Sequence, residues 1–249
     1  LMAAYTHTVS KELTGMPGSN AESAFTYVPT VNGPNNIGLH NSAYVTPDRF
    51  VASATHSDKH GNHLSVIYEA WRGGYNYSYM MANDMNGDGY NYDALYIPTD
   101  AEVENGLFRF VSESDKTRFM DYVHNNDYLK DHQGEYAEAY SVYSPWVHRV
   151  DLSYKHDFKV NVGKTTHKLQ LSCDIKNVLN LFNSEWGVSK VMNSTLNSGR
   201  ILKFEGTDAQ GYPTFSTPSA VSADTPMWQK SISIGQCWYA SVGIKYMFN

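Results

Sequence analysis

Between residues 146 and 158 the apolar and polar side chains separate by parity, and that pattern constrains the fold more than any bulk property. Trp146, Val150, Leu152, Tyr154 and Phe158 fall on one parity; Arg149, Asp151, Ser153, Lys155 and Asp157 fall on the other. Successive side chains of a strand point to opposite faces, so this segment is expected to be a strand with one apolar and one polar face. Its successor repeats the pattern. Leu169, Leu171, Cys173 and Ile175 oppose Gln170, Ser172, Asp174 and Lys176. A last strand sets Trp238, Ala240, Val242, Ile244, Tyr246 and Phe248 against Tyr239, Ser241, Gly243 and Lys245. Weaker alternation predicts strands over Leu1–Leu13, Phe50–Ser57, Leu64–Trp71, Ile201–Gly206 and Tyr212–Thr217, with Pro213 counting against the last.

The connections differ systematically in length. The short ones fall at His60–Asn62, Asn161–Thr166 and Asp208–Gly211; the long ones at Thr14–Asp48, Met81–Pro145, Leu181–Arg200 and Pro218–Gln236. Tight turns at one end and long loops at the other are the mark of a transmembrane barrel, with periplasmic turns and extracellular loops. The fold expected over residues 1–249 is therefore all-β: an antiparallel transmembrane β-barrel of about eight strands. In that frame the last strand descends, its apolar parity meets lipid, and the charged parity faces the lumen, where cross-strand ion pairs can form. Strand character from Leu1 onward points to a portion of a longer protein.

Composition fits this frame. The mean hydropathy is -0.47 and no run of 18 apolar residues exists, which excludes a helical membrane protein. Aromatics reach 14%, with 19 Tyr. Membrane girdles produce such a bias, and so do carbohydrate-binding surfaces. A net charge of -6 without a basic patch excludes nucleic acid as a partner. Cys173 and Cys237 allow one bridge or two free thiols. No Gly-x-Ser-x-Gly, P-loop or His-Glu-x-x-His motif is present, so an enzyme is not expected.

Two segments carry candidate chemistry. In Asp84-Met85-Asn86-Gly87-Asp88-Gly89-Tyr90 the oxygen donors Asp84, Asn86 and Asp88 alternate before a glycine, as at the start of a calcium loop. The Tyr90 carbonyl comes next, and Asp93 sits where a further carboxylate closes the shell. Leu95 stands where the bidentate Glu of such a loop would be. Calcium is the expected cofactor, against the alternative of a plain Asn/Asp/Gly turn. The second segment is aromatic: Trp71, Tyr75, Tyr77, Tyr79, Tyr90 and Tyr92 are expected to form either a ligand platform or an outer girdle with loop packing. Between them and the next strand, Ser114 to Asn125 predicts a helix capped by Ser114, with Phe119, Tyr122 and Val123 on one face. His56, His60 and His63 cluster without a further ligand, so solvated histidines are expected rather than zinc.

Three stretches resemble a known family. Tyr246-Met247-Phe248, followed by Asn249 where the aromatic normally ends the chain, resembles the terminal signature of outer-membrane barrels. Asp174-Ile175-Lys176-Asn177-Val178-Leu179-Asn180-Leu181-Phe182-Asn183 resembles a segment near the end of TonB-dependent transporters. The order Asn86-Gly87-Asp88-Gly89, Tyr96-Ile97-Pro98 and Pro145-Trp146-Val147-His148-Arg149-Val150-Asp151-Leu152 resembles the C-terminal third of Bacteroidetes TonB-dependent receptors of the Oar-like and SusC-like, carboxypeptidase-regulatory-like group. The resemblance implies the last eight or so strands of a 22-stranded barrel, in the bacterial outer membrane, importing a nutrient ligand. It implies lipid as surroundings and TonB as a partner through a plug-bearing N-terminal part. A surface lipoprotein lid or other outer-membrane proteins are further partners. The alternatives are a non-transporting structural or adhesive barrel that binds proteins through its loops, and a secreted aromatic-rich sandwich that binds carbohydrate.

Overall fold

The computed structural model describes residues 1–14 and 18–248. Asn249, the departure from the terminal signature, lies outside them. Six strands form one antiparallel sheet: β1 (Met2–His7), β2 (Asp48–Ser57), β3 (Asn62–Arg72), β4 (Val147–Val162), β5 (Thr165–Lys176) and β6 (Tyr239–Phe248), in spatial order β1-β2-β3-β4-β5-β6. The sheet is open, because β1 and β6 pair on one side only.

This overturns the expected barrel. All eight predicted strand segments contain strand, yet two of them leave the sheet. Arg200–Thr207 and Pro213–Ser216 pair with each other, and with the short strands Met80–Ala82 and Arg109–Phe110, in a separate four-stranded sheet. Two of that sheet's three contacts are parallel. The physical reason is burial on both faces: Ile201, Leu202 and Phe215 are all fully buried, whereas a barrel strand is apolar on one side. With five helices added, the architecture is mixed α and β. The helices are α1 (Ala21–Thr26), α2 (Asp100–Glu104), α3 (Glu113–His124), α4 (Asp127–Asp131) and α5 (Val178–Phe182). Among the described residues no helix is long and apolar enough to cross a membrane.

Loop asymmetry survives in simpler form. The turns β2–β3 and β4–β5 are short and lie at one end of the sheet. The connections 8–47, 73–146 and 177–238 are long and all leave the other end. The Asp208–Gly211 turn belongs to the small sheet instead, where Asp208 accepts from Gln210 and Tyr212 N–H.

The long connections fold on one another and hold the main core. Tyr79, Leu95, Ile97, Phe119, Val123, Leu129, Leu196, Ile201, Leu202 and Phe215 are buried together, and Phe108 stacks on Phe215 at 4.2 Å. Side chains of this size each contribute about 1.5–3 kcal/mol on burial. Helix α3 turns Phe119, Tyr122 and Val123 into that core, as its spacing predicts. Its cap is Ser112, not Ser114: Ser112 Oγ accepts from Asp115 N–H at 3.1 Å, while Ser114 Oγ accepts from Arg118. Asp115 then ties the helix to Thr217, accepting its N–H at 3.0 Å. Burial pushes the Asp115 carboxyl up, but Ser112, Thr217 and Arg118 outweigh it and hold the pKa below the usual value.

The main sheet has little core of its own. Register places Leu152 opposite Val66 and Ile175, and Leu171 opposite His156 and Ile244. One face therefore carries Ala52, Ala54, Leu64, Val66, Val150, Leu152, Leu171, Ile175, Val242 and Ile244 side by side. Val242 is 80% exposed, Ile244 73% and Leu171 38%. The opposite face is polar. Lys176 pairs with Asp151 at 2.7 Å, and Asp157 with Lys168 and His63. The Lys168 ammonium, then Gln170 and His63, hold the Asp157 carboxyl well below the usual range against its burial.

Candidate functional site

The aromatic cluster predicted from sequence divides in four. Trp71 ends β3 on the polar face, where the Arg149 guanidinium lies 5.2 Å over its ring. Tyr79 is a core residue: it is fully buried, accepts from Asn126 Nδ2 at 2.8 Å and stacks near Tyr128 at 5.9 Å. Burial pushes its pKa far up. Tyr90 belongs to the acidic turn, where its N–H donates to Asp88 Oδ1 at 2.8 Å. Tyr75, Tyr77 and Tyr92 do come together, lining a cleft of about 240 Å³ with Tyr27, Tyr140 and Arg200.

Five segments converge there, and hydrogen bonds of the backbone set them. Thr30 N–H donates to Tyr92 O and Ala94 N–H to Thr30 O, which brings Tyr27 beside Tyr92. Their rings stack at 4.8 Å, 18° from parallel. Tyr77 and Val142 exchange a pair of bonds at 2.9 and 3.0 Å, and Tyr140 N–H donates to Ser78 Oγ at 2.8 Å, which fixes Tyr140. Arg200 pairs with Met80 in the parallel contact. Its guanidinium then sits 4.9 Å from the Tyr92 ring and donates to Asn91 O at 3.0 Å.

The segment of Arg200 needs a glycine. Gly199 has φ +90°, and a Cβ there would lie 2.1 Å from Ser78 O. Asn197 and Ser198 before it also have positive φ, a cluster of strain that folds retain at functional sites. In the cleft wall Asn76 is 1% exposed. Its Nδ2 donates to Ser42 O and Val45 O, and its Oδ1 has no partner. Burial raises the pKa of Tyr75, Tyr77 and Tyr140, keeping them neutral hydroxyls. Tyr27, Tyr140 and Arg200 lie far from Tyr75 in sequence, so no local spacing announced them.

The acidic loop adjoins this cleft. Asp84 accepts N–H bonds from Gly87 at 2.7 Å, Asp88 at 3.2 Å and Gly89 at 2.8 Å. Asn86 Oδ1 accepts from Asp88, and Asp93 Oδ2 accepts from Met85 at 2.7 Å. The Asp93 carboxyl is raised in pKa by burial first, and also by the charges of Asp88 and Asp84. Among the described residues no group of three His, Cys, Asp or Glu is arranged to hold a metal ion.

A larger cleft of about 560 Å³ lies where the loop body meets the sheet end, lined by Arg72, Tyr128, Tyr143, Trp146 and Trp228 among others. Arg72 there shares charge with Asp48 at 3.7 Å. Of the clustered histidines, His60 donates its backbone N–H to Asp58, and His63 reaches Ser57 and Asp157. Both cysteines are free thiols. No family model matches the chain, and neither does any curated protein or solved structure.

Proposed function

We propose that this chain serves an outer-membrane receptor that takes up a small ligand, without enzymatic chemistry of its own. The observation that carries the reading is the apolar face of the six-stranded sheet, which nothing among the described residues buries. A continuous exposed apolar surface of this extent marks contact with a partner or a membrane. Its margins favour lipid. Tyr5, Phe50, Tyr68 and His148 line the end near the long loops; His156, Phe158, His167, Tyr246 and Phe248 line the other. Within each row, rings contact their neighbours, as in Tyr68–His148 and Tyr246–Phe248.

Along β4 the rows at His148 and Phe158 are about 33 Å apart at ~3.3 Å per residue. A strand tilt of about 40° reduces this to about 25 Å, the height of an apolar band between aromatic girdles. The long connections then stand on the outer side, with the aromatic cleft in them. TonB as the source of energy rests on the family resemblance alone.

Spin labels placed singly at Leu171 and Gln170 test the reading in membranes. The label at 171 is expected to collide with oxygen and to be shielded from a water-soluble nickel chelate, and the label at 170 to show the reverse. Equal chelate access at both positions overturns it.

Calcium in the 84–93 loop is proposed as a structural cation. Support comes from the spacing of Asp84, Asn86 and Asp88 and from the buried Asp93 carboxyl in the same loop. Binding would draw these carboxylates together around the Tyr90 carbonyl. Chelator is expected to expose residues 82–96 to protease, and calcium to restore protection. An unchanged cleavage pattern means the hydrogen-bonded turn is sufficient.

A further inference from the structure

We infer that the cleft between Tyr27, Tyr77, Tyr92 and Arg200 binds a small aromatic ligand bearing a carboxylate. This names the ligand class for the receptor reading above and rests on it. Two observations converge. First, the walls are aromatic on several sides: Tyr27 and Tyr92 stack at 4.8 Å, and Tyr75 and Tyr77 meet edge to face at 5.1 Å. A planar ring extends such an array through offset or edge contacts.

Second, Arg200 brings an uncompensated charge. Among the described residues it forms no ion pair; its contacts are the Asn91 carbonyl and the face of Tyr92. A guanidinium with most of its donors free, held beside neutral tyrosines in a chain of net charge -6, is a site for bidentate carboxylate recognition. The volume of about 240 Å³ admits one ring with a short polar arm. An N-acylated aromatic amino acid combines ring and carboxylate at that size.

The test is calorimetric titration of the full chain, in detergent or vesicles, with N-acetyl-phenylalanine, its C-terminal amide, and Gly-Gly-Phe. The acid is expected to bind and the amide to bind at least tenfold more weakly. Arg200→Gln should erase that difference with the circular dichroism spectrum unchanged, and Arg200→Lys should restore part of it. Gly-Gly-Phe binding as tightly as the free acid identifies a peptide C-terminus as the source; weaker binding identifies a free acid. Equal binding of acid and amide by the unaltered chain, or binding of neither, overturns the inference. Flotation with vesicles separates the two readings: a chain that floats but binds no acid refutes the cleft alone, and one that binds the acid but does not float refutes the membrane reading alone.

Discussion

Val242→Arg is expected to remove the protein from the membrane fraction. Val242 lies near the middle of the apolar face, in the row of Cys173 and Tyr154 between the two aromatic margins. In hydrocarbon an arginine near the midplane costs about 2–4 kcal/mol, roughly a thirtyfold to thousandfold shift in partition at 1.4 kcal/mol per decade. In water the same change is a surface substitution, within about 0.5 kcal/mol of neutral. The variant therefore separates the two environments by magnitude. Ser241→Arg, one residue away on the polar face opposite Asp174, is the matched control and is expected to leave partition unchanged. Equal behaviour of the two variants would count against a lipid-facing sheet.

The second large effect is expected at Gly199. Alanine there faces a 2.1 Å approach to Ser78 O at φ +90°. The chain must shift Arg200–Thr207 away from Met80–Ala82 or accept the clash. Backbone strain of this kind costs about 1–3 kcal/mol before any packing is lost. Displacing Ile201 and Leu202 from the core adds to it, so a loss of about 3–5 kcal/mol is expected, in the exceptional range for one substitution. Gly87→Ala is the control, because φ is +79° there but nothing lies within 4 Å of the added Cβ. Its cost is expected to stay near 1–2 kcal/mol. Protease sensitivity of the loop body reads both variants. Similar resistance in the two means that the Gly199 contact does not hold the small sheet.

These expectations show where the sequence was legible. The six sheet strands were visible because each has one apolar and one polar face, and period two survives in sequence. The barrel was not supported because parity says that a strand exists and not which sheet takes it. Ile201 and Leu202 are adjacent and both fully buried, and two consecutive buried positions signal a strand covered on both sides. That pair was the available hint that Arg200–Thr207 leaves the main sheet. Tyr75, Tyr77 and Tyr79 share a parity but not a role. The chain from residue 73 to 79 is not continuous strand, so alternation there carries Tyr75 to the surface and Tyr79 to the core. The cleft was half visible: Tyr77 and Tyr92 stood in the aromatic run, while Tyr27, Tyr140 and Arg200 arrive only through long-range backbone pairing. The Asp84–Asp93 turn kept its predicted spacing, with its carboxylates engaged by backbone N–H groups.

The most direct measurement is where the protein sits. The unaltered chain, expressed in a Gram-negative host, is expected to float with outer-membrane vesicles in a density gradient. It should resist extraction by salt or carbonate and need detergent to remain dispersed. A monomer that stays in the aqueous fraction and is soluble without detergent would contradict the account, because the apolar face from Ala52 to Ile244 would then lie open to water.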